Sequence, residues 1–61
     1  MRTVILYIQN NPENFKVYSK VEKTFPCFID VIPIEMDYSE VTICGRVEDW
    51  GSIEAMIAPL L

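Results

Sequence analysis

The 61-residue sequence predicts an α+β domain of element order βαββα, with three strands in one antiparallel-type sheet, in spatial order 1-3-2, and two helices on one face. Three observations predict it. A β-branched and aromatic run from Arg2 to Gln9 stops at Asn10-Asn11-Pro12. Phe15, Tyr18, Val21 and Phe25 then recur at helical spacing. Two further apolar runs flank Asp37-Tyr38-Ser39-Glu40 before a second helical pattern closes the chain. One core of this size leaves no material for another, so residues 1–61 are expected to be a single small domain.

The first strand is apolar on both faces, with Val4, Leu6 and Ile8 alternating against Thr3, Ile5 and Tyr7. Asn11, Pro12 and Glu13 supply a cap, a first-turn proline and a first-turn acid for the helix that follows, and Pro26 ends it. Lys16, Lys20 and Lys23 share a second face of that helix. Cys27 to Asp37 reads as extended, but Pro33 cannot donate a ladder hydrogen bond, which assigns this strand to a sheet edge. Val41 to Glu48 is the third strand, joined to the second by a turn over Asp37–Glu40. Asp49 is expected to cap a final helix carrying Trp50, Ile53, Met56 and Ile57, which Pro59 halts.

A right-handed crossover between the first two strands, with the third strand between them, gives a ferredoxin-like arrangement lacking its last strand. The absent strand would pair with Arg2–Gln9, whose apolar edge is then open. If Asp37 opposes Glu40, then Met36 faces Val41, Ile34 faces Ile43 and Ile32 faces Gly45, all under the helices. The open face would carry Thr3, Ile5 and Tyr7, then Ile29, Val31, Pro33 and Glu35, then Thr42, Cys44, Arg46 and Glu48. Such a face is too apolar to stay bare, which points to a second copy or another protein covering it. A bulge at Pro33 would instead turn Ile29 and Val31 towards the helices and take Asp30 off the core side. Under the simple register Asp30 lies near the second helix, within reach of its backbone N–H groups or the Trp50 indole.

Composition narrows the function. The net charge of −4 and pI near 4.4 argue against nucleic-acid binding, which needs clustered cations. A mean hydropathy of +0.21 with 51% hydrophobic residues fits a folded chain, and no apolar stretch reaches the roughly 18 residues of a membrane span. Two cysteines and no recognisable leader suggest a reduced, cytoplasmic protein without a disulfide framework. A domain this small has little stability to spare, so a partner subunit is expected to supply some, making a homodimer or a protein partner the leading expectation.

No histidine is present, which removes imidazole bases and most zinc or haem sites. Cys27 and Cys44 read as structural thiols, and the acids around the hairpin as a solvated rim without a calcium-loop pattern. No catalytic residue, metal or cofactor is therefore expected. Residues 1–29 hold four bases and two acids, against one and seven in residues 30–61, an asymmetry suited to complementary packing between molecules. The expected function is a non-catalytic interaction or regulatory module whose interface comprises Val4, Ile5, Tyr7, Ile29, Val31, Cys44 and Arg46. The alternative is a small-ligand sensor with an anionic-metabolite site at a dimer interface, anchored by Arg46 or by Lys16, Lys20 and Lys23.

Overall fold

The computed structural model describes all 61 residues and has the expected order of elements: β1 (Arg2–Gln9), α1 (Asn14–Thr24), β2 (Cys27–Pro33), β3 (Tyr38–Gly45) and α2 (Trp50–Ile57). Single 3₁₀ turns flank α2 at Val47–Asp49 and Ala58–Leu60. β3 is the central strand, antiparallel to both neighbours, so the sheet order is β1-β3-β2 and Pro33 does lie at an edge.

The turn into α1 follows its side chains. Asn11 Oδ1 accepts the Glu13 N–H at 3.0 Å and Asn11 O accepts the Asn14 N–H at 2.9 Å, so capping begins one turn ahead of the regular helix. Asn14, buried beneath this turn, donates from Nδ2 to Gln9 O at 2.9 Å. At α2 the expected cap is absent: Asp49 makes no side-chain capping bond, and its carboxylate instead accepts from Arg46 Nε at 2.8 Å. A 3₁₀ turn leads into the helix in place of the cap.

The hairpin differs from expectation in register. β2 ends at Pro33 and β3 starts at Tyr38, so the turn is Ile34–Asp37, where Ile34 and Glu35 N–H both reach Tyr38 O. Val41 faces Val31, Ile43 faces Ile29 and Gly45 faces Cys27. A displacement by an odd number of residues exchanges the two faces of a strand. Cys27, Ile29 and Val31 therefore pack against the core, while Phe28, Asp30 and Ile32 point away from it.

Eight buried apolar side chains form the core: Ile8, Val41 and Ile43 from the sheet, Tyr18 and Val21 from α1, and Trp50, Ile53 and Ile57 from α2. Both helices thus bury against the same sheet face. α2 packs closely over Gly45, where a Cβ would stand 3.1 Å from Ile53 Cδ1 and 3.3 Å from Cys27 Cβ. Trp50 closes the open end of this layer, donating its indole N–H to Arg2 O at 3.3 Å, with the Arg2 guanidinium 5.5 Å from the centre of its ring. That indole bond is the role the sequence suggested for Asp30, which is exposed instead.

Candidate protein interaction surface

The strand registers place three rows of side chains on the face away from the helices: Thr3, Cys44 and Phe28; Ile5, Thr42 and Asp30; Tyr7, Glu40 and Ile32. Its large apolar members are well exposed, at 54% for Ile5, 64% for Tyr7, 61% for Phe28 and 49% for Ile32. Single exposed apolar residues are ordinary, but four share this sheet face, Ile5 and Tyr7 on β1 and Phe28 and Ile32 on β2. Asp30 and Glu40 lie within it, and the strands contribute no cation to these rows.

Several expected positions move. Ile5, Tyr7 and Cys44 occupy the open face as the alternation requires, and so do Thr3 and Thr42. Ile29 and Val31 do not, because the register turns them inward. Val4 is half-buried and also packs against the core. Arg46 lies beyond the end of β3, within 3.3 Å of Glu48 and 2.8 Å of Asp49, and the hydrogen bond to Asp49 holds its guanidinium still more firmly protonated. Its charge is met within the chain. Phe28 and Ile32 take the places assigned to Ile29 and Val31, and the signal that identifies them is Asp30: a carboxylate in mid-strand avoids the core because burial without a partner costs several kcal/mol, and its neighbours two residues either way share its face.

The outer edge of β1 follows from the same geometry. Asn10 N–H donates to Asp37 O at 2.7 Å, one step beyond the last β1–β3 pair, so the even-numbered residues of β1 exchange hydrogen bonds with β3. Thr3, Ile5 and Tyr7 therefore turn their N–H and C=O groups outward. Gln9 would do likewise, but its carbonyl is taken by Asn14. The outward positions hold no proline, no charge and no bulge, the usual means of blocking an edge. Beside this edge, on the helix side, Val4, Leu6, Trp50 and Ile57 line a groove of about 310 Å3 with Arg2 and Glu54 at its rim.

Residues outside this region offer other chemistry. Lys16, Lys20 and Lys23 border an open depression on α1 with Phe15 and Ser19, and Lys16 Nζ lies 3.2 Å from Glu13. Both cysteines are free thiols on opposite faces of the sheet, Cys27 inward and Cys44 outward. No three His, Cys, Asp or Glu side chains are grouped to hold a metal ion, and no helix is long and apolar enough to cross a membrane.

Burial, with Glu22 and Asp49 adding to it, pushes the Cys27 thiol above its ordinary value, and burial alone does the same to Tyr18. The folded chain then keeps these protons at pH values where the unfolded chain has released them. Their stabilisation is complete below the unfolded pKa values and declines as pH rises towards the folded ones. The melting temperature is expected to fall from about pH 9 upward, and to fall less steeply in Cys27→Ala. Parallel slopes in the two proteins would rule out the thiol as a source.

Compared with known proteins, the chain matches no protein-family model, no curated protein and no solved structure.

Proposed function

We propose that this protein is a non-catalytic interaction module that self-associates, or joins a larger assembly, through the outer edge of β1 and the open sheet face. The observation that carries this reading is the unblocked edge at Thr3, Ile5 and Tyr7, bordered by exposed apolar side chains on the open face. Viewed as a ferredoxin-like arrangement without its fourth strand, the fold leaves vacant the position beside β1. An added strand there would complete the sheet, and burial of Ile5 and Tyr7 would add to the backbone hydrogen bonds. The two free thiols agree with a reducing, cytoplasmic setting.

A ligand-sensing role has less to support it. Arg46 is engaged by two carboxylates, so of the anchors expected for an anionic metabolite there remain the lysines of α1, of which Lys16 already lies 3.2 Å from Glu13.

Tyr7→Glu tests the interaction reading, since Tyr7 is exposed and its replacement leaves the core intact. Sedimentation equilibrium over a hundredfold concentration range, together with affinity capture from a cell extract, is expected to show association for the native chain and a loss of at least tenfold in affinity for the variant. Association that Tyr7→Glu leaves unchanged would reject this surface.

A further inference from the structure

We infer that the partner at the β1 edge is the β1 of a second copy, paired antiparallel about a two-fold axis through Ile5 to give a continuous six-stranded sheet. This rests on the interaction reading above and names its occupant.

Self-pairing has to match outward-facing peptide groups, and β1 has three, at Thr3, Ile5 and Tyr7. An axis at Ile5 sets Ile5 against Ile5 of the second copy and Thr3 against its Tyr7, so all three residues of each copy exchange both of their hydrogen bonds. An axis at Tyr7 would instead set Ile5 opposite Gln9, whose carbonyl already accepts from Asn14. An axis at Thr3 would set Ile5 opposite Met1, which lies outside the strand. An axis at Val4 would leave Tyr7 opposite Met1 and one at Leu6 would leave Thr3 opposite Gln9, so the Ile5 axis alone pairs all three residues with one another.

Charge separates this edge from the other surfaces that could meet themselves. On the open face of β1 the pairing unites Ile5 with Ile5 and Thr3 with Tyr7, all uncharged. Arg2, the one charged residue of the strand, would stand about 20 Å from its counterpart at a rise of about 3.4 Å per residue. At the β2 edge the outward peptide groups are those of Cys27, Ile29 and Val31, and an axis at Ile29 or Val31 would bring Asp30 within about 9 Å of its mate, with Pro33 supplying no N–H. Two open faces stacked together would bury Asp30 and Glu40 of both copies without a cation from any strand. Of the two sheet edges and the open face, the β1 edge is the one that meets its own copy without bringing like charges together.

The groove beside β1 fits the same arrangement. Val4 and Leu6 line it, and in this register Val4 of one copy lies opposite Leu6 of the other in a non-hydrogen-bonded pair, the closer of the two pair types. Each strand thereby extends the floor of its partner's groove with apolar side chains.

The test combines mass, one proline and one distance. The native chain is expected to sediment at twice 7.1 kDa at high concentration, with a dissociation constant that salt changes little. Ile5→Pro removes the N–H at the axis; because that N–H faces outward in the monomer, an edge strand accepts the proline. The variant is expected to keep the native fluorescence of Trp50 and to dimerise at least tenfold more weakly, while Phe28→Lys on the open face dimerises as the native chain does. If Ile5→Pro fails to fold, mixed dimers of isotope-labelled and unlabelled native chain give the answer: a Val4 Hα to Leu6 Hα contact between subunits is expected, and its absence overturns the pairing. A dimer insensitive to Ile5→Pro but dissolved by Phe28→Lys would overturn the β1 pairing and leave the interaction reading standing. A chain that stays at 7.1 kDa at all concentrations overturns self-pairing; if it also captures no partner through Tyr7, the interaction reading falls with it.

Discussion

Ile43→Ala is expected to remove most of the stability of the fold. Ile43 is fully buried on the central strand, between Val4 of β1 and Ile29 of β2 on the helix-covered face. Removing its three outer carbons from a close-packed core costs about 2–5 kcal/mol, the upper part of the range applying where neighbours cannot collapse into the space. Ile43 lies between paired strands on both sides, which restricts that collapse. A single core in a domain of this length supplies about 3–5 kcal/mol in all. One substitution therefore removes most of the available stability. Trp50 is the only tryptophan and is buried in the same cluster, so a urea titration followed by its fluorescence reads the loss directly. Ile32→Ala, the same change on the open face, is expected to move stability by no more than about 0.5 kcal/mol. Equal effects at the two positions would contradict the assignment of faces.

Asn10→Ala is expected to cost about 2 kcal/mol, although Asn10 is exposed and contributes nothing to the apolar core. Its Oδ1 accepts from the hydroxyl of Ser39, which is buried in β3, and its Nδ2 donates to Met36 O at 2.9 Å and Glu35 O at 3.3 Å. The side chain thus ties the end of β1 to the Ile34–Asp37 turn that sets the hairpin register. Alanine leaves the Ser39 hydroxyl buried without an acceptor and releases two carbonyls of the turn. Ser39→Ala alone removes one partner, and the double variant removes both, so the two effects should fall short of adding by about 1 kcal/mol. Additive losses in a double-mutant cycle would mean that the Ser39 hydroxyl finds another partner.

Asp30 illustrates how far the sequence is legible here. β2 reads Cys-Phe-Ile-Asp-Val-Ile-Pro, apolar at both parities, so alternation alone could not say which side faces the helices. A turn at Asp37–Glu40 with a regular register puts Ile29, Val31 and Arg46 on the open face, whereas the alternative with a bulge at Pro33 turns Ile29 and Val31 inward, as they are found, though through an earlier turn and an unbroken register. The hairpin turns earlier, and β3 begins at Tyr38. Giving the lone carboxylate priority over the turn would have produced the observed faces, since a slip by one residue exchanges every side chain and only one of the two choices exposes Asp30. Arg46 is a different matter. Its pairing with Asp49 required a 3₁₀ turn at Val47–Asp49 that a strand pattern continuing to Glu48 concealed.

The sequence by itself determined the element order, the antiparallel 1-3-2 sheet, the edge position of the Pro33 strand and the outward placement of Ile5 and Tyr7, because a proline lacks a donor, helical and strand periods differ, a strand–helix–strand crossover is right-handed, and the hydroxyl-bearing Thr3 and Tyr7 share one parity of β1. Only the tertiary structure decided the hairpin register, and with it the membership of Phe28 and Ile32 in the exposed face and of Ile29 and Val31 in the core. It likewise decided that Asn10 would anchor the turn and that Asp49 would bind Arg46 instead of capping α2. Each of these is a competition between two locally acceptable arrangements. Contacts between residues distant in the chain, such as Asn10 with Ser39 and Trp50 with Arg2, accompany the arrangement that prevails.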